Sequence, residues 1–230
     1  MKFKEYLKDN QKDIDLKMEI TILGRGASLE KLKDFQTSSD LVITCNCFWE
    51  KDTTTKPFFQ DDLISSFLND KKIITVCSPL GYSNHDIKEF ENNFNIIDKY
   101  NACFNSGNQR RLSPIQGFSC MSDSVLSIYN KIDNAKIKKQ GDAIAGTLAY
   151  AVLLAIAEHK STKINIFGLD FYEKDYYIPQ THNYSKEQSA PEVIQNKIDF
   201  CNFFNFLSDI HFNVYTLANF QCSNNNVSVL

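Results

Sequence analysis

The stretch from Ile164 to Glu187 reads INIFGLDFYEKDYYIPQTHNYSKE, and the apolar run Lys163–Phe167 that feeds it ends at Gly168-Leu169-Asp170-Phe171-Tyr172. A short apolar run stopping at Gly-x-Asp reads as a buried central strand. It sets a carboxylate and a close-approach glycine at the strand's carboxyl end, where open α/β sheets bind their ligands. Beyond it come a tyrosine-rich polar loop and His182, groups that can stabilise a leaving phosphate and take a proton. Chemistry is expected here.

Outward from that strand, the pattern alternates. Asp142 to His159 (DAIAGTLAYAVLLAIAEH) is apolar nearly all round, the mark of a buried helix. Upstream, Glu19–Leu23 (EITIL), Leu41–Cys45 (LVITC) and Ile73–Cys77 (IITVC) read as strands. A helix-like LEKLKDF follows the first, and helical spacing from Asn84 to Phe94 follows the third. Downstream, Pro191–Leu207 reads as a helix opened by proline, and Phe212–Leu217 as a last strand. Strand and helix in alternation predict an α/β fold, a mostly parallel sheet with helices on both faces. Residues 1–17 read as a charged helical extension anchored by Tyr6 and Leu7, and Tyr100–Gln116, rich in Asn, Ser, Gly and Arg, as a loop.

Composition sets bounds on this picture. At 230 residues, with 43% hydrophobic and 23% charged side chains, the chain can bury one good core. The expected organisation is an extension over residues 1–18 and one domain over 19–230. A net charge of −3 and a pI near 5.8 provide no whole-molecule attraction to nucleic acid or anionic lipid. No apolar run approaches the roughly 20 residues of a membrane helix, and the start is too polar for a signal-peptide core. The expected location is the cytoplasm, with room for peripheral association at the inner membrane. Seven cysteines without a CxxC pair, among them Cys45, Cys47, Cys77 and Cys201, read as reduced packing residues.

The turn after the first strand, Gly24-Arg25-Gly26-Ala27-Ser28, offers bare backbone N–H groups at a helix start, which suits a phosphate or a ribose. It lacks the third glycine of a dinucleotide fingerprint, and Thr44-Cys45-Asn46 ends the second strand without an acid, which argues against a nicotinamide cofactor. Two readings stay open, a nucleotide site and glycines that only let the chain turn. Asn46 likewise could bond a ribose hydroxyl or a base, or merely form a turn. Of the four histidines, His85 and His159 fall on expected helices and His211 begins a strand. His182 alone sits in a polar loop beyond a strand end. The one Asp-x-Asp, Asp13 to Asp15, precedes the first strand and reads as a solvated helix face, so no metal site is expected.

Taken in order, GRGASLEKL, LVITCNCF and AGTLAYAVLLAIAEHKSTKINIFGLDFY resemble the bacterial family 42 sialyltransferases. There the first loop reads Gly-Asn-Gly-Pro-Ser-Leu, the second strand ends Cys-Asn-x-Phe, and the late helix-strand unit ends Ser-Gly-[Ile/Leu]-Asp-Phe-Tyr. Tyr176-Tyr177 followed by His182 to Glu187 also resembles the animal family 29 sialyltransferases, which carry Tyr-Tyr and then His-x-x-x-x-Glu. The likeness covers roughly residues 19–50 and 142–220.

The resemblance implies a GT-A-like Rossmann domain that moves sialic acid, or a related nonulosonic acid, from a CMP-sugar to a glycan hydroxyl, with inversion. A lipooligosaccharide is the kind of acceptor implied, and a homo-oligomer is compatible with it. No metal or other cofactor is implied, because a CMP-sugar leaves with a single phosphate whose charge hydroxyls and N–H groups can stabilise. By position, His182 would be the general base, and Tyr172 with Tyr176 or Tyr177 would bond the leaving phosphate. Gly24, Arg25, Gly26, Ser28 and Asn46 would meet the nucleotide from one side of a cleft, and Gly168, Leu169 and Asp170 from the other, with Gly146 close by. Two stretches depart from the family: Arg25 replaces a nucleotide-contacting Asn, and Asp142-Ala143-Ile144-Ala145 replaces Arg-x-Thr-Ser. A second class stays open, a related Rossmann-like nucleotide-binding protein without sialyl transfer. It would resemble the flagellin-glycosylation accessory proteins or the pterin pyrophosphokinases.

Overall fold

The β-branched runs form strands β1 (Glu19–Leu23), β2 (Leu41–Cys45), β3 (Lys72–Cys77), β4 (Asn95–Asn101), β5 (Lys163–Phe167), β6 (His211–Tyr215) and β7 (Val227–Val229). The helices are α1 (Asp62–Leu68), α2 (Lys88–Asn93), α3 (Asp123–Tyr129), α4 (Gly146–Ala157) and α5 (Ala190–Phe206), with a 3-10 helix over Ala27–Asp34. The computed structural model describes residues 18–46, 48–49, 56–77, 87–102, 117–119, 122–132, 146–178 and 189–230. Within them the strands form a seven-stranded sheet of order β4-β3-β2-β1-β5-β6-β7. Each neighbouring pair runs parallel, giving the expected α/β, Rossmann-like architecture. The chain steps outward from β1 to β4 and then returns to β1's other side with β5. The β1/β5 boundary is therefore the topological switch point.

Alternation across the pleat divides the core. Ile20, Ile22, Ile43, Ile74, Val76, Ile164, Ile166, Phe212 and Val214 pack with α3, α4 and α5. Leu23, Val42, Ile73, Cys77 and Phe167 point the other way and pack with the 3-10 helix, α1 and α2. Every residue of α4 after Gly146 is buried, which is why its sequence shows no polar face, and each fully buried leucine there contributes about 2 kcal/mol. On the second face two polar pairs form: Thr44 Oγ1 donates to Thr75 Oγ1 at 3.0 Å, and Asn213 donates to the buried Asn165 at 2.8 Å. Pairing offsets the penalty of burying Thr44, Thr75 and Asn165.

Several expectations need correction. Tyr100 and Asn101, read as the start of a loop, end strand β4, a partly exposed edge whose NIIDKYN has no clean alternation. The helix-like segment after β1 is a 3-10 helix. The last expected strand stops at Tyr215, because Thr216 and Leu217 turn to bond Asp170. Cys45 and Cys77 are buried packing residues, and Cys201, partly exposed, packs against the core from its edge. The extension over 1–17, Cys47, residues 84–86, and the expected loop over 103–116 lie outside the described residues.

Candidate functional site at the carboxyl edge of the sheet

β1 and β5 lie in register, Leu23 opposite Phe167, so the loops leaving them meet at once. Gly24 N–H donates to the Phe167 carbonyl at 2.7 Å, and Gly26 N–H to the Gly168 carbonyl at 3.2 Å. A Cβ on Gly24 would stand 2.6 Å from the Gly168 oxygen, and one on Gly168, whose φ is +75°, would stand 2.5 Å from the Gly24 carbonyl carbon. Glycine is required here by backbone-to-backbone approach. Asp170, 3% exposed, accepts from Ser28 N–H at 2.8 Å through Oδ2. Its Oδ1 accepts from Leu217 N–H at 2.8 Å and the Thr216 hydroxyl at 3.0 Å. The Ser28 hydroxyl in turn accepts from Gly168 N–H at 2.9 Å.

Gly24, Gly26, Ser28, Gly168 and Asp170 are brought together, and the hydrogen bonds among them tie the first loop to the end of β5. Leu169 is buried in the core, and its carbonyl accepts from Thr216. The group forms a lock that fixes the carboxyl edge.

A second polar group lies one strand over. Asn46, half-buried just past β2, has a left-handed φ of 67°, a conformation asparagine tolerates. Its N–H is held by the Val76 carbonyl at 2.8 Å, and its Oδ1 accepts the Thr147 hydroxyl at 2.7 Å. Gly146, φ +64° and exposed, opens α4 beside it, with nothing within 4 Å of where a Cβ would stand. The first-turn N–H groups of α4 therefore sit next to a side-chain amide and a hydroxyl. Thr147 was hidden from sequence reading by the apolar helix around it. Its signal was being the one hydroxyl residue in the first turn after Gly146.

Past the lock, Phe171 and Tyr172 both take left-handed backbone, φ 51° and 61°, which is strained for residues with side chains. Phe171 is buried, its ring 4.6 Å from Phe220 and 5.6 Å from Phe200, while Tyr172 is turned out and 43% exposed. Glu173 pins the turn, accepting from Lys197 at 2.5 Å and from Asn219 N–H at 2.8 Å. Burial alone would raise its carboxyl pKa, but the Lys197 and Asn219 hydrogen bonds and the Lys197 charge hold it below the usual value.

The chain then folds back on the first loop. Tyr176 bridges Gly26, and Tyr177 N–H donates to the Arg25 carbonyl at 2.9 Å. Arg25, which replaces the nucleotide-contacting Asn of the resembled family, is only 5% exposed. Its guanidinium lies 5.0 Å from the Tyr176 ring and 5.6 Å from the Phe58 ring, a cation–π sandwich that uses it for packing. The Tyr177 hydroxyl points to Asp61 Oδ1 at 3.4 Å, and Asp61 also caps α1. Burial first, then the Asp61 charge, push the Tyr177 phenol up, so it stays protonated at neutral pH. The three tyrosines thus occupy three different surroundings, and Tyr172 has the exposed one.

His182, Glu187 and His85 lie outside the described residues. His211 opens β6 and His159 precedes β5, so both belong to the opposite, amino edge of the sheet. Among the described residues no group of three or more His, Cys, Asp or Glu side chains is gathered as metal ligands, and no helix is long and apolar enough to cross a membrane.

No family model matches the chain and no curated protein sequence matches it. Among solved structures it is similar to the sialyltransferase CST-II in complex with a trisaccharide acceptor and CMP, with a TM-score of 0.53 and 19% identity over 92% of this chain and 89% of that one. At that identity the likeness is one of fold, and it extends across nearly the whole of both chains.

Proposed function

We propose that the chain is a glycosyltransferase of the family 42 sialyltransferase kind. It moves sialic acid or a related nonulosonic acid from a CMP-sugar to a glycan hydroxyl, with inversion and without a metal. The observation that carries this reading is the placement of Asn46, Thr147 and the start of α4 beside one flank of the β1/β5 switch point, with exposed Tyr172 on the other. The fold it shares with a sialyltransferase crystallised with CMP supports it.

In this reading Asn46, its Oδ1 held by Thr147, offers its amide N–H groups to the nucleoside, and the first turn of α4 offers backbone donors. The acceptor hydroxyl attacks the anomeric carbon from the face opposite CMP. The bond to the phosphate oxygen breaks, and its electron pair leaves with CMP. Tyr172 donates to that phosphate as charge grows, and His182 takes the hydroxyl proton. Gly24, Gly26, Ser28, Gly168, Leu169 and Asp170 position this edge. Arg25 and Tyr176 hold the tyrosine loop against it, and Tyr177 stands beside them on Asp61. A cytoplasmic site of action, peripheral at the inner membrane on a lipooligosaccharide-type acceptor, belongs to the same proposal.

A second reading, a Rossmann-like nucleotide-binding protein without sialyl transfer, is favoured by one observation. The first-loop side chain that the resemblance assigns to the nucleotide, Arg25, is withdrawn between Phe58 and Tyr176. Calorimetry with CMP, GTP, GDP, ATP and NAD separates the two. Tightest binding of CMP, with CMP-sugar turnover unaffected by EDTA, supports the transferase. Tighter binding of a purine nucleotide assigns the chain to the second class, and a strict requirement for manganese removes the sialyltransferase reading.

A further inference from the structure

The contacts that anchor the tyrosine loop run past two thiols that the proposed chemistry does not use. Cys201 lies on α5, one turn beyond Lys197, and Cys222 lies between β6 and β7. Both are partly exposed, and they are not joined. The Asn224 side chain brackets them, its Nδ2 donating to the Cys201 carbonyl at 2.7 Å and to Cys222 Sγ at 3.2 Å. Cys201 Sγ donates to the Gln221 carbonyl at 3.4 Å, next to Cys222 in the chain. The Gln221 carbonyl and the Asn224 side chain thus hold the Cys201 sulfur beside the segment that carries Cys222. Cys45 and Cys77, by contrast, are sealed in the core.

We propose that Cys201 and Cys222 form a reversible disulfide on exposure to a peroxide, a modification site that fastens α5 to the segment between β6 and β7. The step balances. The Cys222 thiolate attacks one peroxide oxygen, the O–O bond breaks, and a sulfenic acid and hydroxide result. Cys201 then attacks that sulfur, the S–S bond forms, and the sulfenic hydroxyl leaves as water with the Cys201 proton. In total two thiols and one hydrogen peroxide give a disulfide and two waters, and a thiol reductant reverses the cross-link. Burial, and then contact with Cys222, push the Cys201 thiol up to about 12, which disfavours it as the first nucleophile.

The cross-link would join the same two segments that hold Glu173. Lys197 on α5 donates to Glu173 at 2.5 Å and to the Asn219 carbonyl at 2.6 Å, while Asn219 N–H binds the other Glu173 oxygen. Oxidation therefore stiffens the base of the loop that carries Tyr172, whether or not the chain transfers sugar.

The test oxidises the intact chain with hydrogen peroxide, alkylates it, and digests it without reduction. The expected product is one peptide pair joined through Cys201 and Cys222, two mass units below the sum of the free thiols and released by dithiothreitol. Cys222→Ser and Cys201→Ser lack the pair while keeping the wild-type circular dichroism. The oxidised wild type melts about 5–10 °C higher, and amide exchange over residues 171–178 slows in it but not in Cys222→Ser. Recovery of both cysteines alkylated after peroxide treatment, or of Cys222 joined to a different cysteine, overturns the site. A cross-link that leaves exchange over 171–178 unchanged overturns the coupling to the loop.

Discussion

The Ser28 backbone N–H donates to Asp170 Oδ2 at 2.8 Å across a sequence separation of 142 residues. Around that bond the Gly168 N–H reaches Ser28 Oγ, and Leu217 and Thr216 complete the carboxylate's partners. One buried carboxylate thus adds to the backbone bonds between the two central loops.

Replacing Asp170 by Ala strands two backbone donors, Ser28 N–H and Leu217 N–H, in a water-poor site, and Asp170→Asn satisfies them only in part. The expected destabilisation is about 3 kcal/mol or more for Ala, with Asn between it and wild type. Urea unfolding with an unchanged slope measures it. A loss under about 1 kcal/mol for Ala would show that the lock carries little energy.

The glycines separate by surroundings rather than by residue type. Gly24→Ala drives its methyl into the Gly168 carbonyl, so a backbone shift costing about 1–3 kcal/mol and weakened CMP binding are expected. Gly146→Ala meets only its left-handed backbone, a cost of about 1–2 kcal/mol without steric overlap. Calorimetric CMP titration of both variants checks the order, and equal loss of binding would contradict it.

Tyr172 and His182 are expected to affect different steps. Tyr172→Phe should slow both transfer and the donor hydrolysis that proceeds without acceptor, because both expel CMP. His182→Ala should lower transfer by roughly two to four orders of magnitude and spare hydrolysis relatively. The ratio of transfer to hydrolysis in each variant is the measurement. If Tyr172→Phe depresses transfer alone, Tyr172 serves the acceptor instead.

Glu173 predicts a response to acid. Its carboxyl sits below 4.5 in the folded chain, so its contribution is complete above the unfolded value and is lost as pH falls through the lower folded one. Glu173→Gln should be less stable than wild type at neutral pH, by under about 1 kcal/mol because the pair is partly solvated. Below about pH 4.5 the two proteins should converge. Urea midpoints between neutral pH and about pH 3 test this; a gap that persists at the acid end means that Glu173's charge is not what the pair contributes.

The sheet was largely legible because its central strands are short, β-branched and buried on both faces. β4 and β7 escaped notice because edge strands need no apolar alternation, and α1 and α3 because one or two turns carry too little periodicity. At the site, Gly24, Gly26, Ser28, Gly168 and Asp170 stood out as unusual residues at strand ends. What they bond could not be read, since a carboxylate that seals a loop and one that meets a ligand look the same in sequence. Arg25 shows the same ambiguity, its partners Phe58 and Tyr176 lying far apart in the chain. Thr147, Asp61 and Glu173 went unnoticed because an apolar helix, a helix cap and an exposed loop hid them.

The strand order has a consequence for biosynthesis. Among the described strands β1 leaves the ribosome first, and it occupies the middle of the sheet, with β2 on one side and β5 on the other. β2 follows within a short stretch of chain, but β5 begins only at Lys163. Until then the nascent chain carries an unpaired, apolar inner edge of the kind that recruits other strands. Long-range parallel pairing of this sort also closes slowly. Chains truncated before β5 are therefore expected to aggregate rather than persist as folded intermediates.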